Sequence, residues 1–169
     1  MDLVSTHVIF TWYRSLTSCR SRPVDFDLGI RYVENSLKLN SPEMETICAT
    51  AAENQINVSL GFSERDGESV YIAQALIDES GSIRMTRRKM KPTHMERTIF
   101  GDASGDCLAK VVDLPLGKVG GLSCWEHIQP LLKYYTFSQG EQIHVAAWPP
   151  LDSFIEGSPG FYSMSVEGG

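Results

Sequence analysis

The sequence predicts a layered α/β (α+β) domain in which helices cover a sheet. Three features predict it. Residues 57–89 hold three strand-like runs parted by turn signals. A capped amphipathic helix precedes them at 41–54. After a long loop, the order becomes strand, helix, strand between 111 and 148.

The first twenty residues, MDLVSTHVIFTWYRSLTSCR, show no sustained helical or strand period and are set apart as an atypical N-terminal segment, 1–20. From Ser21 the pattern becomes regular. Ser41 stands as an N-cap with Pro42 at the first helical position. Met44, Ile47, Cys48, Ala51 and Ala52 then recur at helical spacing as far as Asn54. Residues 57–62 alternate as a strand, Asp66-Gly67 marks a turn, and residues 70–77 form a branched, aromatic second strand. The run Asp78-Glu79-Ser80-Gly81 turns the chain into a third strand from Ser82 to about Lys89, so the three read as a meander.

Residues 92–106 form a polar loop that is long for a compact domain, and such loops more often carry function than idle. A short strand at 111–114 and a turn at Leu116-Gly117 lead to the apolar run 118–123, which stops at Cys124. Pro130 opens a helix with Leu131, Leu132 and Tyr135 on one face, ending near Gly140. Residues 143–148 form the last strand, closed by Pro149-Pro150. This gives a domain at 21–150 and a Gly/Pro/Ser-rich tail at 151–169.

At 169 residues, 42% apolar and 21% charged, the chain suits one soluble domain with a sizeable core. A net charge of −6 gives no electrostatic reason to expect nucleic acid or an anionic membrane. The basic cluster Arg84, Arg87, Arg88, Lys89 and Lys91 reads as a solvated strand end. No apolar run reaches the length of a membrane span. Residues 1–20 lack the charge order and cleavage site of a signal peptide. Cys19, Cys48, Cys107 and Cys124 are irregularly spaced with no CxxC pair, as expected of reduced thiols in a cytoplasmic protein.

Cys124 is the chemical candidate. Gly120-Gly121-Leu122-Ser123 before it would allow a sharp turn that lifts the thiol out of the sheet, towards backbone N–H groups that lower a thiol pKa and bind an oxyanion. The competing reading is a buried structural cysteine. His127, three residues on, raises a Cys/His dyad as an alternative. Lys89, at a strand end, could hold an oxyanion or donate a proton, although most such lysines are only solvated. Trp125, Tyr135 and Trp148 suit either an apolar pocket or the core.

Several motifs together carry a resemblance. Residues 87–98 (RRKMKPTHMERT), followed by Phe100-Gly101-Asp102, resemble the lysine motif of aliphatic nitrilases and fungal cyanide hydratases. Leu122-Ser123-Cys124-Trp125-Glu126-His127 resembles their nucleophile motif, and His144-Val145-Ala146-Ala147-Trp148-Pro149 the strand after it. Tyr32-Val33-Glu34-Asn35-Ser36 and Gly61-Phe62-Ser63-Glu64 fit in order and spacing, so the match runs from about Ser21 to about Pro150.

The resemblance implies an αββα sandwich, present here in part, and a Glu-Lys-Cys set that works without metal or cofactor on a small-molecule nitrile. It further implies a homo-oligomer. Cys124 would be the nucleophile, and Lys89 would stabilise developing negative charge with the backbone N–H of Trp125. Glu96 would be a second, positioning glutamate, against the alternative that it only pairs with Arg97 or Arg88. His127 would be secondary, near the oxyanion and pocket.

The resemblance also implies a general-base glutamate at the end of an early strand, in a Phe-Pro-Glu motif, which this sequence does not contain. General-base assistance is worth about a hundred- to ten-thousand-fold in rate. With the further strands and helix that the family adds, this makes the chain read as truncated at both ends. Two expectations follow: a nitrile hydrolase acting through Cys124, or an inactive family member that at most joins oligomers.

Overall fold

A computed structural model describes residues 3–7, 25–108 and 110–147 of the chain. The expectations for Cys19, Trp148, Pro149-Pro150 and the tail at 151–169 lie outside the described residues.

The expected meander is present. Strands β2 (Asn57–Asp66), β3 (Ser69–Ile77) and β4 (Ile83–Arg88) pair antiparallel in sequence order. One strand was not foreseen. β1 (Leu3–His7) adds to the other edge of β2 in parallel, with Leu3 opposite Asn57 and His7 opposite Gly61. Its sequence puts two apolar residues before three polar ones, so it has no period of two. Its pairing comes from the open edge of β2.

A first helix also escaped the periodic reading. α1 (Phe26–Glu34) starts where the Asp25 carboxylate accepts from the Leu28 backbone N–H at 2.9 Å. Gly29 and the branched Ile30 and Val33 dilute its helical signal. α2 (Pro42–Asn54) is the expected helix, with Ser41 Oγ accepting from the Met44 N–H at 3.3 Å. It ends at Gln55, whose φ of 52° is left-handed.

The pleat sorts side chains into layers. Val58, Leu60 and Phe62 of β2, with Ala73, Ala75 and Ile77 of β3, share a face that packs against Met44 and Ala51 of α2. On the other face Leu76 and Met85 meet Leu114, Val119 and Val145 of a second sheet. Here the residue pattern alone, which suggested one sheet, is corrected. β5 (Val112–Leu114) and β6 (Gly117–Ser123) are antiparallel, and β6 and β7 (Ile143–Ala147) are parallel.

A parallel pair needs a crossover, and α3 (Pro130–Ser138) supplies it. Since β3 and β4 occupy the inner face of this sheet, the crossover belongs on the outer one, which gives the order helix, sheet, sheet, helix. Tyr135 is not core. It is exposed on α3 with Leu131, Tyr134 and Phe137. Among the described residues, no helix is long and apolar enough to cross a membrane.

The loop expected at 92–106 contains short 3-10 turns at His94–Thr98 and Gly105–Cys107. The turn from β3 to β4 is pressed against α2. Gly81 has a φ of +79°, and a Cβ there would lie 2.5 Å from the Cys48 carbonyl oxygen. Gly81→Ala is therefore expected to destabilise the chain by roughly 2 kcal/mol or more, from left-handed strain plus a backbone clash, read as a lower urea midpoint.

Candidate active site

β6 ends at Ser123, and Cys124 opens a 3-10 turn, Cys124–Ile128, with a φ of 50°. For a residue with a side chain this costs about 1–2 kcal/mol, so the surroundings must hold it. The preceding glycines do not make the turn, as had been expected. They lie within β6 and make room. A Cβ on Gly121 would lie 2.8 Å from the Val145 carbonyl oxygen, and one on Gly120 would collide with the Glu141 carboxylate.

The thiol is buried at 6% exposure. Burial pushes its pKa up to about 11, against the opposing pull of the Lys89 charge and the hydrogen-bonded Trp125 backbone N–H. Glu96 and Glu126 push in the same direction as burial. The structure therefore brings Cys124, Lys89, Glu96 and the Trp125 amide into one electrostatic neighbourhood. Trp125 itself is 43% exposed beside Cys124, so it is not core.

Lys89 follows β4, where its backbone N–H donates to the Ile72 carbonyl at 2.7 Å. The expectation of a solvated strand end is corrected here, because Lys89 is 2% exposed. Its Nζ donates to Glu96 Oε2 at 2.5 Å and to Thr93 Oγ1 at 3.2 Å. Glu96 Oε2 also accepts from the Thr93 backbone N–H at 2.6 Å, which ties the start of the 3-10 turn to the lysine. The suggested pairing of Glu96 with Arg88 is replaced by this contact. Arg88 instead forks onto Glu64 at 2.7 and 2.8 Å, reaches Asp66, and lies over the Tyr71 ring.

Arg87 is buried too, on the opposite side of β4 from Arg88. It faces the second sheet and donates to Gln74 Oε1 and to Glu126 Oε1, both at 2.7 Å. Glu126 Oε1 also accepts from the Met90 N–H at 2.9 Å, and Oε2 from the Ser123 N–H at 2.8 Å. One carboxylate thus joins the end of β4 to the end of β6, just before Cys124. Gln74 completes the tie by donating to the Leu122 carbonyl at 3.4 Å. Arg87, Gln74 and Glu126 were not foreseen as site residues. The contacts between elements span 13 to 48 positions of sequence, and the local signal is the Ser123-x-x-Glu126 capping box, which marks Glu126 alone.

His127 lies on the backbone of the Cys124 turn. Its Nδ1 is 2.7 Å from the Cys124 carbonyl oxygen, and its Nε2 is 3.0 Å from His144 Nε2. Neither distance is to the sulfur, so the Cys/His dyad gains no support. Burial pulls its pKa down to about 4 and leaves the imidazole neutral at pH 7, with the Cys124 carbonyl opposing and His144 assisting. Cys48, Cys107 and Cys124 are all free thiols.

Removing Glu126 strands a buried guanidinium. Glu126→Ala is expected to cost about 3–5 kcal/mol by urea unfolding. The double variant Arg87→Met, Glu126→Leu should recover only part of this, because the Met90 and Ser123 N–H groups remain unpaired. His127 gives a pH dependence. The unfolded ring takes up its proton near the ordinary 6.5 and the folded ring near 4, so the unfolded state binds more protons between them. Stability should be full above about pH 7 and fall by up to about 3 kcal/mol towards pH 4. In His127→Gln, urea midpoints across that range should lose this part of the slope.

The carbon-nitrogen hydrolase family model matches residues 9–165. An arylacetonitrilase of Hypocrea virens is 62% identical over 148 residues, and one of Aspergillus niger is 61% identical. Each alignment covers 88% of this chain, which spans only 45% of the length of those relatives. Among solved structures, a carbon-nitrogen hydrolase from Helicobacter pylori G27 superposes with a TM-score of 0.71 at 18% identity, over 99% of this chain and 57% of that one. A cysteine-to-alanine mutant of the amidase from Nesterenkonia sp. AN1, in complex with butyramide, gives 0.62 at 15% identity, covering 74% and 48%. These two show a shared fold, in agreement with the layered sandwich. With a family match across most of its length, the chain belongs to the carbon-nitrogen hydrolase family.

Proposed function

We propose that the chain is a nitrilase that converts a small nitrile to a carboxylic acid and ammonia through Cys124. The observation that carries this reading is the buried Lys89, paired to Glu96 and acting on a thiol held at a strained turn. A cation kept out of water opposite a nucleophile is suited to charge that develops only during reaction.

The cysteine sulfur, as thiolate, adds to the nitrile carbon, and the nitrile nitrogen takes a proton to give a thioimidate. In this reading Lys89 Nζ and the Trp125 N–H stabilise the negative charge that forms, and Glu96 positions the lysine, supported by the action of both groups on the thiol and by the Lys89–Glu96 contact. Water then adds to the thioimidate carbon and ammonia leaves, giving a thioester. A second water releases the acid and restores the thiol. Loss of the thiol instead of ammonia from the tetrahedral intermediate releases an amide. The arylacetonitrilase relatives and the exposed indole of Trp125 favour an arylacetonitrile as substrate. A homo-oligomer completes the proposal, supported by the apolar side chains that α3 leaves exposed.

A second reading, an inactive family member, is favoured by one observation. The thiol pKa stands at about 11, and the two carboxylates that act on it are both engaged, Glu96 with Lys89 and Glu126 with Arg87. Neither is placed to take the thiol proton.

Incubation with phenylacetonitrile, followed by electrospray mass spectrometry and an ammonia assay, separates the two. Ammonia release that disappears in Cys124→Ala supports the hydrolase. A Cys124 adduct without ammonia means that attack survives and turnover is lost. A folded chain that gives neither signal is catalytically inert.

A further inference from the structure

We infer that Glu141, His144 and His127 form a hydrogen-bonded relay that holds the backbone carbonyl of Cys124, and that all three are positioning residues for the nucleophile. The inference rests on Cys124 being that nucleophile, but its test needs no nitrile.

The contacts run in one line. His127 Nδ1 meets the Cys124 carbonyl at 2.7 Å, His127 Nε2 meets His144 Nε2 at 3.0 Å, and His144 Nδ1 meets Glu141 Oε1 at 2.9 Å. The two rings stand edge to face, with centroids 5.1 Å apart and planes at 81°.

Counting donors fixes the protons. A carbonyl oxygen only accepts, so His127 carries its hydrogen on Nδ1. A neutral His127 then offers a lone pair on Nε2, which His144 must fill with an Nε2–H. That uses the single N–H of a neutral His144. The contact with Glu141 therefore holds one further proton between nitrogen and carboxylate. The other charged groups acting on the His127 ring are Glu126, already paired to Arg87, and Lys133.

The chain is shaped around this relay. The Glu141 side chain is 2% exposed, and its Oε2 has no partner among the described residues. Gly120, directly opposite His144 in the parallel register, has no Cβ where the Glu141 carboxylate sits. The relay secures the C-terminal side of a residue in left-handed backbone, while Glu126 secures the Ser123 N–H before it.

The counting also separates two substitutions. Glu141→Gln can donate its amide N–H to His144 Nδ1 and keep the line intact without the extra proton. Glu141→Leu cannot.

The test begins with NMR of the full chain labelled with nitrogen-15 in its histidines. The expected tautomers are Nδ1–H for His127 and an Nε2–H on His144. A proton on Nε2 of His127 with none on Nδ1 overturns the relay. The rate of iodoacetamide alkylation, read as the Cys124 peptide mass, should then fall at least threefold in Glu141→Leu. It should change less than threefold in Glu141→Gln. A Glu141→Leu chain within threefold of the parent, or a Glu141→Gln chain as slow as Glu141→Leu, overturns the inference. If Glu141→Leu does not fold, the tautomers of the parent and the Glu141→Gln rate decide.

Discussion

Arg87 on β4 and Glu126 in the turn after β6 meet at 2.7 Å, with both side chains almost wholly out of water. Two charges removed from solvent attract strongly, but desolvation offsets much of that gain, so such a pair contributes little net stability. What it gives here is a fixed distance between two sheets. Apolar packing among Leu76, Met85, Val119 and Val145 holds the sheets together without a unique register, because apolar contacts carry little directional preference. The ion pair and its hydrogen bonds to Met90, Ser123 and Gln74 are directional. They set the end of β4, which delivers Lys89, against the end of β6, which delivers Cys124.

The consequences for chemistry follow from how the charges are used. Every buried ionisable group near the sulfur has a partner already: Lys89 has Glu96, Glu126 has Arg87, and His127 lies on the Cys124 carbonyl. This arrangement favours holding a reacting geometry over moving protons. It also explains why the thiol stays protonated although a lysine is close. The Lys89 charge is largely answered by Glu96, so its pull and that of the Trp125 N–H do not overcome the burial of the sulfur.

Much of the fold was readable because it obeys simple periods. The start of β2 alternates, β3 is rich in branched and aromatic residues between turn signals, and α2 has a cap, a proline start and helical spacing. β1 and α1 were hidden for physical reasons, one lacking alternation and the other interrupted by Gly29 with no fully buried residue. The sheet count was wrong from residues alone because pairing partners leave no mark on a single strand. At the site, Cys124, Lys89 and Glu96 were legible through motifs. The burial of Lys89 was not, since a run of basic residues looks like a wet surface. Arg87 with Glu126, and His127 with His144, became visible only when distant elements met.

The run Arg87-Arg88-Lys89 looks like three interchangeable cations, yet successive residues of a strand face opposite ways. The first and third point into the interior, one to Glu126 and one to Glu96, while the middle one points outward to Glu64 and Asp66. Position along β4, more than charge, is thus what this stretch encodes. Inserting or deleting one residue there would leave the composition nearly unchanged and exchange the inner and outer sets. It would send the outward arginine towards Cys124 and expel the lysine. Length changes in β4 should therefore be far less tolerated than substitutions, even though the strand lies at the edge of its sheet.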